Sequence, residues 1–405
     1  MDWNAEYAGI LGRLDTYIAN AKLTLCGMSA CVDAIISLHE AQFLLQATGP
    51  YEAVDLAKAL TGRARAGTGG EIRVEWPDGP AWLDRMLPFR HALGGTGPHA
   101  ARTLTRLGAP TLLALATRSP EQMGVLDTDL RLAHDGRSTP VGELGPTRSN
   151  VPKIYIFEFT AGRLLSDAML RRSSRIIVRF NDPGIEDDRE FTALSPQLAP
   201  WAGAAILSGY NAIGRGDLQG ALAATRTLVA QWHGSNDLLV HLELAGYDRD
   251  EYRDAVLDGL YGHITSLGLS LSEFQALVPD GTPLADGMSD LAERLNLQRL
   301  CVHADTWAAA TTVGDPARER EALLMGCLLA GIRAENGRVI RPRRLPEQAV
   351  FEAPPDFPAA HGTMAFAAVA APYLSHPATT LGLGDTFMAG CLLVLGQDSL
   401  HAPEQ

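Results

Sequence analysis

In "TTLGLGDTFMAG", residues 379–390, two glycines precede an acid, Asp385, and an apolar run with helical spacing. Gly382 and Gly384 permit backbone conformations and close approaches that side chains would block. With a helix starting directly behind them, the backbone N–H groups of such a turn converge on an anion, and the helix dipole adds positive potential there. A carboxylate held beside an anion hole is suited to accept a proton from a hydroxyl as that oxygen attacks phosphorus. The competing reading is that Asp385 or Thr386 caps the helix. No Gly-x-x-x-x-Gly-Lys-Ser/Thr occurs in the chain, so a phosphate bound here is not held by a P-loop.

A second glycine stretch, "HALGGTGPHAARTLTRLGAP", sets Gly94, Gly95 and Gly97 before a helix expected from about Pro98 to Leu107, with Gly108 as its stop. It reads either as a tight loop or as backbone N–H groups brought against a polyhydroxylated substrate. In "LCGMSACVDAIISL", Asp33 is expected at the end of a buried strand, where open α/β sheets bind ligands and a carboxylate can accept from two sugar hydroxyls. It could equally cap a helix over "AIISLHEAQFLLQ".

"VHLELA" carries His241 and Glu243; zinc deaminase chemistry would also need a Pro-Cys-x-x-Cys, which is absent, and Glu243 can be read as a paired structural acid. In "GLSLSEF", Ser270 and Glu273 have the spacing of a capping box. "CGMSAC" approaches a nucleophile elbow, but Cys31 stands where its last glycine should be, and no acid and histidine stand out as partners beyond an available His303. Arg175 follows "RRSS", a basic cluster that is solvated by default.

The elements that must position these residues alternate. "KLTLCGM", "PTLLALAT", "AAILSGY", "LLVHLELA" and "LQRLCVHA" read as buried parallel strands, each followed by a helix-length segment, which argues α/β with a central sheet. "EIRVEWPDGPAW", "VPKIYIFEFTAGRLL" and "SRIIVRF" alternate instead and read as antiparallel strands of a second sheet. They interrupt the α/β pattern, so the smaller unit is expected as an inserted lid over residues 36–91 and 136–179, bordered by turns such as "NDPGIEDD". The larger unit takes 1–35, 92–135 and 180–405. The tail "GQDSLHAPEQ" looks frayed.

Composition allows this size: of 405 residues 46% are hydrophobic and 20% charged. The 34 Lys+Arg against 47 Asp+Glu leave a net charge of −13 without a basic cluster, so nucleic acid is not an expected partner. The most apolar windows run about ten residues, half of a membrane span, and the amphipathic start lacks the pattern of a signal peptide, so a cytoplasmic protein is expected. Five cysteines without a Cys-x-x-Cys pair suggest reduced, buried thiols and disfavour structural zinc. Nothing in the sequence sets an oligomeric state.

An early strand ending in an acid, a Gly-Gly turn leading into the helix of "AARTLTRLGA", and a late "GLGDTFMAG" occur in the order found in ribokinase-like kinases. Within that superfamily the chain resembles the ADP-dependent glucokinase and phosphofructokinase family, on "VHLELA", "YIFEF", "SRIIVRFND" and "LSGYN", from residue 23 to about 390. The resemblance implies a ribokinase-like three-layer α/β/α domain with an inserted β-rich lid. It also implies phosphoryl transfer from ADP, or ATP in the wider superfamily, to a sugar or sugar phosphate with Mg2+. It makes Asp385 the catalytic base, gives the anion hole to Gly382, Leu383 and Gly384, and gives the sugar to Asp33, Gly94 and Gly95. Arg175 would lie near the nucleotide phosphates, and Glu243 and Glu273 near the metal, Glu243 acting through water. The chain departs from the family where Ser270 replaces an asparagine of Asn-x-x-Glu and where Ser29 and Cys31 stand in place of asparagines before Asp33. A kinase-shaped sensor that binds without turnover is the rival of another class, and an intact Asp385 argues against it, since binding alone has no use for a base.

Overall fold

A computed structural model of the chain describes residues 1–148, 152–181, 184–214, 216–234 and 238–397. The tail from residue 398, and residues 182–183 of the expected border turn, lie outside the described residues. An eleven-stranded sheet forms the larger unit. Its centre is seven parallel strands in the order Arg299–His303, Ser266–Ser270, Leu239–Glu243, Ala202–Leu207, Leu23–Cys26, Thr111–Leu113 and Arg131–His134. These include every buried run expected to be a strand. Ser266–Ser270 was hidden, because its glycine and serines break the apolar signal. Antiparallel strands flank the centre: Trp307–Thr312 and Met364–Ala370 on one side, Arg137–Pro140 on the other.

Strands buried on both faces need cover on both, and the two apolar clusters supply it. Helices Trp3–Ala19, Thr96–Leu107, Pro316–Asn336 and Leu383–Leu395 pack on one face. Arg189–Leu198, Leu218–His233, Asp250–Gly259 and Leu284–Arg294 pack on the other. Three layers result.

The second sheet has five strands, ordered Gly70–Arg73, Ser174–Arg179, Lys153–Phe159, Cys31–Ser37 and Arg90–Gly94. Here the sequence expectation needs correction. Asp33 neither ends the first strand nor caps a helix: after Cys26 the chain turns and starts a new strand at Cys31, and the helix begins only at Leu38. Residues 31–35 and 92–94, expected in the larger unit, therefore pair within the smaller sheet, while Arg137–Pro140, expected in the lid, pairs with the large sheet's edge. Gly70–Arg73 runs parallel to Ser174–Arg179 rather than antiparallel. The run "CVDAIIS" is mostly apolar, so the period that separates its two faces is masked, and only its partners reveal them.

Those faces are distinct. Ala34, Ile36, Tyr155, Phe157, Ile176 and Val178 pack against the helices Leu38–Thr48, Tyr51–Arg65 and Gly79–Met86. By the two-residue period of a strand, Asp33, Ile154, Ile156, Arg175, Ile177 and Arg179 project from the opposite face, which looks across a cleft at the large sheet.

Candidate active site

The cleft holds a cavity of about 540 Å³, lined from both sheets. On the large-domain side, Gly382 adopts a left-handed conformation (φ 66°) and N-caps helix Leu383–Leu395, so that Asp385 falls in the first turn. Asp385 does not cap: the N-cap position belongs to Gly382, and Asp385 accepts from the Thr96 hydroxyl instead. Burial raises its pKa, opposed chiefly by the charge of Arg333. Thr96 opens helix Thr96–Leu107, and Gly95, at φ 91°, is pressed against the backbone of Ser29 and Ala30, where a Cβ would overlap both.

On the lid side Asp33 is 4% exposed, and burial pushes its carboxyl up to about 8, the Cys31 thiol donating to Oδ1 (3.5 Å) in partial opposition. Gly94 faces Cys31 across the ladder, and a Cβ there would collide with Asp33 Oδ1 and Cys31 Sγ. Gly94 is thus the space into which Asp33 folds. Arg175 reaches across the cleft and donates from Nη1 to the Thr380 carbonyl (2.7 Å), two residues before Gly382. Arg179 pairs with Glu71 from the neighbouring strand, whose carboxyl burial raises to about 7.

Glu243 ends its strand buried, with His241 Nε2 on Oε2 (3.0 Å) and His303 Nε2 on Oε1 (3.4 Å). Burial alone would raise its pKa, but the two imidazoles outweigh it and hold the carboxyl down at about 2. Burial opposes the charged form of both histidines: His241 stays below its ordinary value, while Glu243 holds His303 above it. Gly268 on the adjacent strand leaves the room this carboxylate occupies. Glu273 makes the capping box the sequence suggested, its Oε2 accepting from Ser270 N (2.7 Å), yet it also lines the cavity, and burial raises its pKa.

All the sequence-named residues except Gly94 and Leu383 line the one cavity directly; Gly94 backs Asp33, and Leu383 lies between two lining glycines. Sequence reasoning missed Glu71, Thr96, Arg179, His303 and Arg333 as site residues. Arg179 was within reach, sharing the alternation of "SRIIVRF" with Arg175, and His303 ends a buried strand. Thr96, Glu71 and Arg333 carry no local signal. Glu243 and Glu273 are buried oxygen donors on the large-domain wall that could hold a hard divalent cation; Glu243 is kept ionised by its two imidazoles, while burial opposes ionisation of Glu273. Separately, the only group of potential metal ligands clustered among the described residues, His134, Asp135 and Glu190, is at the large sheet's edge and includes two exposed acids.

A glycine turn at a helix N-terminus, a carboxylate beside it and a second carboxylate across the cleft are an arrangement that could carry phosphoryl transfer to a polyol. Comparison with known proteins agrees. A family model for the ADP-specific phosphofructokinase/glucokinase conserved region matches residues 23–394. The fold is similar to that of an ADP-dependent kinase solved with fructose-6-phosphate and ADPβS (TM-score 0.78, 19% identity, 98% of each chain covered). It is also similar to a phosphofructokinase from Pyrococcus horikoshii solved with AMP (0.70, 18%, 93% of this chain and 97% of that one). A last common ancestor of ADP-dependent phosphofructokinases from Methanosarcinales gives 0.70 and 18%, covering 98% and 99%. No curated protein sequence matches. The three-layer core with its second sheet is thus the arrangement shared with these kinases, and the chain, an ADP-dependent sugar kinase, belongs to the ADP-specific phosphofructokinase/glucokinase family.

Proposed function

We propose that the chain transfers the β-phosphoryl group of ADP to a primary hydroxyl of an unphosphorylated sugar, with Asp385 as general base. The observation that carries this reading is the convergence on one cavity of Asp385, at a helix N-terminus, and Asp33, on the cleft face of the lid sheet. Asp385 removes the hydroxyl proton as the sugar oxygen bonds to phosphorus and the bond to the AMP oxygen breaks. The N–H groups around Gly382, Leu383 and Gly384 stabilise the charge on the transferring group. Asp33 hydrogen-bonds sugar hydroxyls, its buried carboxyl able both to donate and to accept while protonated, with Gly94 and Gly95 fixing its wall. Arg175, already hydrogen-bonded to the segment leading into the turn, neutralises phosphate charge as the lid and core come together over the substrates.

Glu273, and Glu243 through water, would hold Mg2+, which supplies charge neutralisation on the phosphates. Both oxygens of Glu243 are engaged by imidazoles, which favours the water-mediated role.

An uncharged acceptor is favoured by the cavity's charge. Its lining carries Asp33, Glu71, Glu243, Asp250, Glu273 and Asp385 but no lysine; of its three arginines, Arg179 and Arg253 are already paired with carboxylates, and Arg175 is the one given to the nucleotide phosphates. A cytoplasmic setting fits five free cysteines, and no described helix is long and apolar enough to cross a membrane.

The test is Mg2+-dependent transfer from ADP and, separately, ATP to a panel of hexoses, pentoses, nucleosides and sugar phosphates, with Asp385→Asn as control. Transfer from ADP to a free sugar, lost in the control, is expected. Preference for a sugar phosphate would overturn the acceptor, and undiminished turnover in the control would overturn the base.

A further inference from the structure

Two arginines lie deep in the large domain, and their surroundings differ. Arg299 is 4% exposed and fully neutralised: Nε and Nη2 grip the Glu319 carboxylate at 2.8–2.9 Å. Arg333, 6% exposed in the last turn of helix Pro316–Asn336, has only neutral partners. Its Nη1 donates to Thr386 Oγ1 (2.8 Å), its Nη2 to His99 Nδ1 (3.2 Å), and among the described residues it makes no ion pair with a carboxylate. Its opposite charge is Asp385, which acts on it through space and not through an ion pair, and a buried cation compensated only in this way is costly unless further negative charge is supplied.

The guanidinium lies directly behind the anion-binding turn. A Cβ built on Gly382 would stand 2.5 Å from Nη2 and 2.7 Å from Cζ and Nη1, so the left-handed glycine is stacked on it. Thr386, which Arg333 holds, donates back to the Gly382 carbonyl (2.8 Å), tying the turn to the first turn of its helix. His99 belongs to the helix that also supplies Thr96, the hydrogen-bond donor to Asp385. Arg333 therefore joins the two helix N-termini that face the cavity, and it adds a full charge to their positive ends. Burial lowers its pKa to about 10, the Asp385 charge opposing, so it stays protonated at neutral pH.

We propose that Arg333 is a positioning residue for phosphoryl transfer: it braces the Gly382–Thr386 turn from behind, and its charge is complemented when the transferring phosphoryl group enters the anion hole. This rests on the reading of that turn as the anion hole beside a base at Asp385. Arg333 touches neither substrate. The alternative role is purely architectural, a cation suited to the negative C-terminal end of its own helix.

The donor separates the two, because AMP lacks the phosphoryl group that the anion hole would hold. Affinities for ADP and AMP by calorimetry, with kcat and KM, would be compared for wild type, Arg333→Gln, Arg333→Lys and Thr386→Val. Arg333→Gln keeps hydrogen-bond donors but not charge; it should lose ADP affinity about tenfold relative to AMP and kcat by about a hundredfold, while Arg333→Lys stays within several-fold of wild type. Thr386→Val, which keeps the side-chain volume and the Arg333 charge but removes the hydroxyl that links Arg333 to the Gly382 carbonyl, should lower kcat several-fold at an unchanged AMP affinity. An unaltered ADP-to-AMP ratio in Arg333→Gln, or equal losses for both nucleotides with a lowered melting temperature, would overturn the proposal. So would full activity in Thr386→Val. The affinity ratio is read without turnover, so a failed assignment of Asp385 as base, seen in Asp385→Asn, leaves this outcome separately legible.

Discussion

The two walls of the cleft are built in opposite ways. The large-domain wall is built from helix starts: the turn at Gly382 and the start of helix Thr96–Leu107, with Arg333 behind them, surround Asp385, while Glu243 and Glu273 stand further along the same wall. The lid wall is a flat sheet face where acids and arginines alternate with isoleucines: Asp33, Glu71, Arg175 and Arg179 beside Ile154, Ile156 and Ile177. The first wall suits a phosphate in flight, the second a ligand with hydroxyls and apolar ring faces. In the function proposed above, the two carboxylates raised by burial take separate tasks, one beside the glycine turn and the other on a surface of donors and acceptors.

The division is open to attack at its strongest point first. Asp385→Asn should reduce kcat by about a hundredfold or more while leaving KM for ADP and sugar near wild type, the scale expected of a general base. A loss confined to KM would move Asp385 to a binding role. Since burial raises its pKa, the wild-type rate should also fall as pH drops through that raised value, and the variant should lack this limb.

Asp33→Ala should act on the other wall alone, raising the acceptor KM by about tenfold through the lost hydrogen bonds, with ADP affinity unchanged. A shift in the ADP affinity would merge the two walls. Glu243→Gln should raise the Mg2+ concentration needed for half-maximal rate several-fold; an identical titration would leave the residue as a partner of His241 and His303 only.

The smallest effect is on stability. Between the ordinary carboxylate range and about 8, folded Asp33 keeps a proton that the unfolded chain has released, so its contribution to stability falls as pH rises through that window. Asp33→Asn cannot ionise and should melt about 2 °C or more above wild type at about pH 9, the gain shrinking towards about pH 4. No gain at alkaline pH would show that Asp33 is less desolvated than its surroundings imply.

The same contrast explains what could be read in advance. The large-domain wall was legible because its chemistry is local: two glycines, an acid and a helix start within four residues. The lid wall was half legible. "SRIIVRF" announced Arg175, but the partners of Asp33 come from strands whose spatial order bears no relation to their order in the chain. Asp33 itself reads as the end of the first strand and lies instead in the third position of the next one, because seven mostly apolar residues from Cys31 hide the period that separates the two faces. Glu273 satisfied both of its readings at once, capping its helix and lining the cavity.

By itself, then, the sequence determined the alternation of buried strands and helices, the glycine turn with Asp385 behind it, and the second Gly-Gly turn, because backbone conformation and periodicity are properties of neighbours in the chain. Only the tertiary structure decided that Asp33 and Arg179 share a sheet face, that His303 holds Glu243, and that Arg333 stands behind Gly382 without an ion-pair partner among the described residues. Those are facts about burial and charge between segments far apart in the chain, and they exist only once the two sheets enclose the cleft.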